Sequence, residues 1–297
     1  MKEMTYLFPI FIFLFGLAVG SFLNVVIYRL RTQENALKGR SCCPYCHHQL
    51  AWFDLIPVVS FLLLGGKCRY CKKNISRQYP IVETATGLLF LLIFLASRDM
   101  AQPDNLQLID FLFLLAISCL LLVIFVYDLK HYIIPNEIVY PAIGIAFAWR
   151  IFEVFPIFRL LATRAGETKN WASLAVQALG EGGAFGFPNP LVNGAVAALI
   201  ASGFFLLLFL ASRGKWIGFG DVKLGIFMGL FLGFPNIFVA LFFAFLIGAI
   251  IGVILMGARK KGLQSEIPFG PFLILGVLIA YLAGEEIAQW YFSSFAL

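Results

Sequence analysis

Residues 111–128 read FLFLLAISCLLLVIFVYD, an apolar stretch that ends on a carboxylate. Its apolar part belongs to a run from Leu108 to Tyr127, long enough to cross a hydrocarbon core of about 30 Å as a helix. Seven comparable runs flank it: Tyr6 to Tyr28, Ile81 to Ala96, Ile138 to Phe155, Leu191 to Ser212, Val222 to Phe234, Ile237 to Gly257 and Phe269 to Leu282. Backbone polar groups in lipid must be paired within the segment, so runs of this kind predict helices. The expected fold is an all-α polytopic membrane protein of about eight transmembrane helices. Composition agrees. Of 297 residues 61% are hydrophobic and 13% charged, where soluble domains carry about 25% charged residues, and the mean hydropathy is +0.91.

Lysine and arginine set the orientation. Placing alternate loops on one side gathers the segment Arg29 to Arg77, the Lys130 loop, the Arg213 to Lys223 loop and Arg259 to Lys261, together 16 of the 22 basic residues. By the positive-inside rule that side is cytoplasmic, and both termini face outward. The first run is too long for a signal-peptide core and its positive charge follows instead of preceding it, so it reads as a retained helix. The net charge of +6 is accounted for by this topology, and no nucleic-acid partner is expected.

Three regions follow: a first transmembrane helix, 1–28; a small cytoplasmic loop domain, 29–80; and a transmembrane domain, 81–297, with an outer loop at about 156–190. Trp171 to Leu179 within that outer loop predicts a short amphipathic helix at the interface. Glycines spaced by four, at Gly16 and Gly20, at Gly225, Gly229 and Gly233, and at Gly248 and Gly252, predict close helix packing, with the helix after Asp221 inside the bundle.

The cytoplasmic loop carries Cys43-Pro44-Tyr45-Cys46 and Cys68-Arg69-Tyr70-Cys71. Two such pairs on the reducing side of a membrane read as four thiolates around one zinc. A closed four-thiolate site has no open position, so this zinc is structural. Gly65 and Gly66 suit a tight turn ahead of the second pair. Cys42 competes with Cys43 as a ligand, though the spacing favours Cys43, and His47 and His48 are alternative donors to a tetrahedron that four cysteines already fill. Cys119 reads as a packing residue.

Asp128 closes one apolar run and Asp221 opens another. Each alone has a plain reading, as a span end in water or a helix cap. Depth argues for more at Asp221: its run of 13 residues, Val222 to Phe234, is about 20 Å long, and with its far end at Pro235 on the outer interface the aspartate is about 10 Å below the cytoplasmic one. Two carboxylates able to meet, one ionised and one protonated, form an acid/base pair.

The surrounding residues read Tyr127-Asp128-Leu129-Lys130-His131-Tyr132-Ile133-Ile134-Pro135-Asn136 and Gly218-Phe219-Gly220-Asp221-Val222-Lys223. This pairing resembles the type IV prepilin peptidase family, membrane aspartyl peptidases of the GxGD type. So do Gly20 to Arg29 after the first run, Asp54 to Ser60 between the cysteine pairs, Gln78 to Glu83, and Pro268-Phe269-Gly270-Pro271. The resemblance implies a bifunctional enzyme of the bacterial inner membrane. It cleaves the basic leader of type IV prepilins or type II secretion pseudopilins at the cytoplasmic face and N-methylates the new terminal residue from S-adenosylmethionine. It implies Asp128 and Asp221 as the catalytic pair, with Gly218, Gly220, Pro135, Asn136 and Lys223 as supporting motif residues. It also implies Cys43, Cys46, Cys68 and Cys71 as zinc ligands associated with methylating members. Arg29-Leu30 runs into Arg31 where the family has a proline. No glycine-rich nucleotide loop marks where S-adenosylmethionine binds. Prepilin substrates and membrane lipids are the expected partners; Glu83, Asp54, Glu137 and Glu266 are candidate acids for receiving a basic leader. Rival readings are a peptidase with only a structural zinc loop, a proton-coupled transporter using both aspartates, and a membrane-anchored recruiting module.

Overall fold

The computed structural model describes residues 2–32, 39–97, 105–154, 189–257 and 267–295. The outer loop at 156–190 with its amphipathic segment, Arg259 to Lys261, and Glu266 lie almost wholly outside the described residues. Among those described, the secondary structure is helical apart from two isolated bridges. The helices are α1 (Lys2–Thr32), α2 (Val59–Leu63), α3 (Gln78–Ala96), α4 (Asn105–His131), α5 (Asn136–Val154), α6 (Pro190–Ser212), α7 (Phe219–Leu232), α8 (Asn236–Gly257) and α9 (Gly270–Phe295), with a 3-10 turn at Trp52–Leu55. Eight of the nine coincide with the eight apolar runs. Six of them, α1, α3, α4, α6, α8 and α9, are long and apolar enough to cross a membrane. The expected count of eight spans therefore stands at six by length and composition. The 14 residues of α7 reach only about 21 Å, and α5 carries Glu137, Arg150 and Glu153 among its 19 residues.

The chain forms two compact units, Met1–Val123 and Ile124–Leu297. In the first, α1 and α3 run antiparallel with their small residues facing. A Cβ on Gly16 would lie 2.7 Å from the Gly87 Cα, and one on Gly20 would lie 2.7 Å from the Glu83 Cα. Further along, the buried Asn24 donates from Nδ2 to the Tyr79 carbonyl at 3.1 Å and accepts from Gln78 Nε2 at 3.3 Å. Phe90 and Ile93 of α3 close a core with Phe111 and Leu115 of α4.

In the second unit, the glycines after Asp221 do what their spacing predicts. A Cβ on Gly225 would meet the Ala201 and Ser202 backbone, and one on Gly229 would clash with the Ala198 backbone, so α7 and α6 touch main chain to main chain. Nine of the 14 residues of α7 are buried, Asp221 among them. Gly248 packs against Phe272, whereas Gly252 has open space around it, so that pair is not a packing ridge.

Arg150 of α5 ends α7. Its Nε donates to the Leu230 carbonyl at 2.6 Å, Nη2 to the Phe231 carbonyl at 2.9 Å and Nη1 to Glu153 Oε2 at 2.8 Å. The last carbonyls of a helix have no partner inside it, and a cation there also suits the helix dipole. Asn193 completes this end, its Oδ1 accepting from the Phe234 N–H at 2.6 Å. Substituting Arg150→Met strips donors from two carbonyls and leaves Glu153 without that partner. We expect a loss of about 1–3 kcal/mol, the cost of leaving half-buried acceptors without their donor, read as a lower midpoint of thermal unfolding in detergent.

Candidate functional site

Asp128 and Asp221 are both in the second unit and both buried, 4% and 8% exposed. Asp128 lies inside the last turn of α4, which runs on past the apolar stretch to His131. There the Tyr132 N–H donates to the Asp128 carbonyl at 2.9 Å and Tyr132 turns the chain with a left-handed φ of 58°. Asp221 lies in the first turn of α7, and its Oδ2 accepts from the Gly218 N–H at 3.2 Å. The N-cap is Gly218 and not Asp221, which stands three residues on, reaches back to the Gly218 N–H and is buried.

A second helix start serves Asp128. The Gly270 N–H at the head of α9 is hydrogen-bonded to the Asp128 carboxylate, and a Cβ on Gly270 would stand 2.6 Å from Asp128 Oδ2. Pro268-Phe269-Gly270-Pro271 therefore has a local meaning: Pro271 suits the first turn, where no N–H is needed, and Gly270 leaves room for the carboxylate. Ile134 ties the two aspartates to one place. A Cβ on Gly220 would be 2.9 Å from the Ile134 Cβ, and one on Gly270 would be 3.5 Å from the Ile134 Cδ1. The segment after α4, the head of α7 and the head of α9 converge on that side chain.

The supporting residues join the same assembly. Pro135 precedes α5 and its carbonyl accepts from the Ile138 and Val139 N–H groups at 3.2 and 3.0 Å. Asn136 Oδ1 accepts from Lys223 Nζ at 2.6 Å. The ammonium also sits over the rings of Tyr140 and Phe219, 5.0 and 5.3 Å from their centroids. Ile-Pro-Asn and GxGD-x-Lys are thereby clamped together across α5 and α7.

The four expected metal ligands meet in the first unit. Ligand atoms of Cys43, Cys46, Cys68 and Cys71 all lie within 4.8 Å of one another, and the Cys43 and Cys71 sulfurs are 3.9 Å apart. A tetrahedron with metal–sulfur bonds of about 2.3 Å has edges of about 3.8 Å, so the set fits a zinc-sized ion. Two halves of like design build it, each residue of the first matched 25 positions later. The Cys43 N–H donates to the His48 carbonyl and the His47 N–H to the Cys43 carbonyl; the Cys68 N–H donates to the Lys73 carbonyl and the Lys72 N–H to the Cys68 carbonyl. His47 and Lys72 share a left-handed φ, 56° and 60°, and bridges Cys42 to Gln49 and Lys67 to Asn74 close each half. His47 and His48 are turn residues here, matched by lysines, and the exposed Cys42 stands outside the cluster. The N–H of Cys71 is the largest influence on the Cys68 thiol; against burial, and with the Tyr70 N–H, it lowers the group to about 7, whereas at Cys46 the His48 main chain is outweighed by burial and by the Cys43 and Cys71 thiols, which push it up to about 11. Without a metal the four thiols cannot all ionise together. Gly65 and Gly66 take φ of 58° and 69°, the turn expected of them.

Two of the acids proposed to receive a basic leader are engaged within the loop's own unit. Glu83 Oε2 accepts from the Val58 N–H at 2.7 Å. Asp54 Oδ1 accepts from Arg69 Nε at 2.8 Å; burial opposes its charge, yet hydrogen bonds from Arg69 and the Ala51 N–H hold it below the usual carboxylate range. Glu137 is exposed beside Asn136. The reach of Gly270 to Asp128 and of Arg150 to the end of α7 escaped sequence reasoning; the only signal for the former was the Pro268 to Pro271 motif itself.

Comparison with known proteins matches the chain to one family. The Bacterial Peptidase A24 N-terminal domain matches residues 14–97, and the Type IV leader peptidase family matches residues 114–253. A prepilin leader peptidase/N-methyltransferase of Pseudomonas aeruginosa is 30% identical over 302 residues, 94% of this chain and 91% of that protein. One from Aeromonas hydrophila is 27% identical over 96% of this chain and 93% of its own length. One from Myxococcus xanthus is 38% identical over 185 residues, which is 59% of this chain and about half, 53%, of that protein. No solved structure matches the chain. With both halves of the chain matched and a 30% identical relative aligned along almost its whole length, the chain belongs to the type IV leader peptidase family.

Proposed function

We propose that this protein is a GxGD aspartyl peptidase that removes the basic leader of prepilins or pseudopilins, with a second activity that N-methylates the new N-terminus from S-adenosylmethionine. The observation that carries the peptidase reading is that two buried aspartates, each held by an N–H at the head of a helix, stand beside Gly220 and Gly270, which both pack on Ile134. Hydrolysis needs one carboxylate to take a proton from water as it attacks the scissile carbonyl. The other carboxyl donates to the carbonyl oxygen, and collapse of the tetrahedral intermediate returns a proton to the leaving amine. Burial keeps bulk water from competing, and the fixed N–H groups hold both carboxylates in place before substrate arrives. The basic residues gathered on one side support a bacterial inner-membrane protein with both aspartates and the cysteine loop toward the cytoplasm.

For the second activity, Cys43, Cys46, Cys68 and Cys71 would hold zinc as a structural ion that folds the loop. Four thiolates give a centre of net charge about −2, and Lys67, Lys72 and Lys73 lie within five residues of a ligand. The regions 1–28, 29–80 and 81–297 then divide the labour as anchor, methylation-associated loop and peptidase. Incubating the purified protein with a prepilin and methyl-labelled S-adenosylmethionine tests both halves. We expect a leaderless product carrying label; cleaved but unlabelled product removes the second activity, and uncleaved substrate removes the first.

The head of α9 gives a finer test of the site. In Gly270→Ala the new methyl sits against the Asp128 carboxylate and must push it aside. A displacement near 1 Å costs about 10²-fold in rate, so kcat for cleavage should fall by about that factor with thermal unfolding little changed. Unaltered kcat would mean that Asp128 is not held against Gly270 in the working enzyme.

A further inference from the structure

Between its cysteine pairs the loop bears an apolar surface that the first unit leaves uncovered. Trp52 is 76% exposed and Leu63 82%, with Leu55, Ile56, Val59 and Leu62 exposed beside them. A patch of this kind facing water is a liability. Depth gives it a different meaning. The 19 residues of α3 extend about 28 Å, nearly all of it needed to cross a core of about 30 Å. Gln78, its first residue, then stands at the boundary, and Glu83 lies about 8 Å inside. Because the Val58 N–H is bonded to Glu83 Oε2, the middle of the loop is held at that level and not above the membrane.

The backbone shows that the tie is a firm one. Val58 takes φ 61° and ψ −48°, and the Val59 N–H reaches the Pro57 carbonyl at 2.6 Å. This is a three-residue turn that a β-branched side chain adopts only under constraint, and the buried Glu83 supplies that constraint. Charge points the same way. From 39 to 80 the chain has six basic residues, Arg40, Lys67, Arg69, Lys72, Lys73 and Arg77, and one acid, Asp54. All six are exposed, and Asp54 is already bonded to Arg69. Phe22 of α1 and Ile81 of α3, on the helices that anchor the loop, are exposed as well.

We propose that Trp52–Leu63 is an interfacial membrane element whose partner is a bilayer surface rich in anionic headgroups. Its apolar side chains enter the boundary between headgroups and acyl chains, while the surrounding lysines and arginines stay with the phosphates. A basic peptide would be repelled by the same ring of charge, which sets lipid ahead of a leader peptide as the occupant. This reading stands whether or not the protein is a peptidase.

The test is fluorescence of the full chain in vesicles of brominated phospholipid, with the Trp52 contribution taken as the difference from Trp52→Phe. We expect Trp52 emission to be blue-shifted, strongly quenched by bromines in the upper acyl chain, weakly quenched by bromines near the chain end, and more so as anionic lipid is added. Red emission quenched by aqueous iodide and not by bromolipid overturns the proposal. So does quenching by a prepilin helix carrying bromophenylalanine when bromolipid has no effect, since the surface would then belong to a protein partner.

Discussion

We expect Asp128→Asn and Asp221→Asn each to lower prepilin cleavage by about 10³-fold or more, with the protein still folded and any metal still bound at its cysteines. The size follows from the proposed chemistry, in which each carboxylate gives or takes a proton in the transition state, and one general acid or base is worth about 10²–10⁴-fold. Asparagine keeps the shape but neither takes a proton nor supplies one. The pair acts as a unit, so the double variant should be little worse than either single one. Asp221 also accepts from the Gly218 N–H, a bond that the Asn oxygen keeps, so only Asp221→Ala should add a loss of about 0.5–2 kcal/mol, the range of a lost cap. Full activity in either single variant, measured as leader release from a purified prepilin, would remove the dyad from the mechanism.

Metal removal should divide the two activities. A double substitution Cys43→Ser and Cys71→Ser takes one thiolate from each half of the cluster. Bound zinc should then drop from one per chain to near none, measured by elemental analysis. Binding to sites of this kind supplies about 10–16 kcal/mol in isolated zinc-finger peptides, so the loop should also lose its fold, seen as rapid proteolysis between Arg40 and Arg77. Methyl transfer is then lost and leader cleavage retained, because both aspartates lie in the other compact unit. Methylation by a metal-free loop would show that the cysteines serve another purpose. Cleavage falling in step with zinc would show that the loop contributes to the peptidase.

How far these features can be read in the chain depends on the range of the force that creates them. Lipid leaves a helix no alternative, so apolar runs mark helices closely: Leu191 to Ser212 became Pro190–Ser212, and Ile237 to Gly257 became Asn236–Gly257. Ends fared worse where polar residues continue the helix beyond the apolar part. α4 passes Asp128 to His131, and α9 passes Leu282 through Glu285 and Glu286 to Phe295. The cysteine pairs announced their own cluster through spacing, but the left-handed turns at His47 and Lys72 did not, because nothing in those side chains requires them. Least legible were contacts made across long separations by backbone atoms. The Gly270 N–H at Asp128 and the Leu230 carbonyl at Arg150 carry no mark of their own in the sequence, since every residue but proline offers the same groups.

The short α7 behaves as a ruler. Arg150 grips its far end at Leu230 and Phe231, and Asp221 stands nine residues before Leu230, about 13.5 Å away along the axis. With one end gripped, the number of residues between those points sets both the depth of the carboxylate and the direction it faces. One residue inserted into α7 would advance Asp221 by about 1.5 Å and swing it about 100° around the helix, away from Asp128. Substitutions along α7 away from Gly225 and Gly229 can be absorbed by repacking, whereas a change in its length cannot.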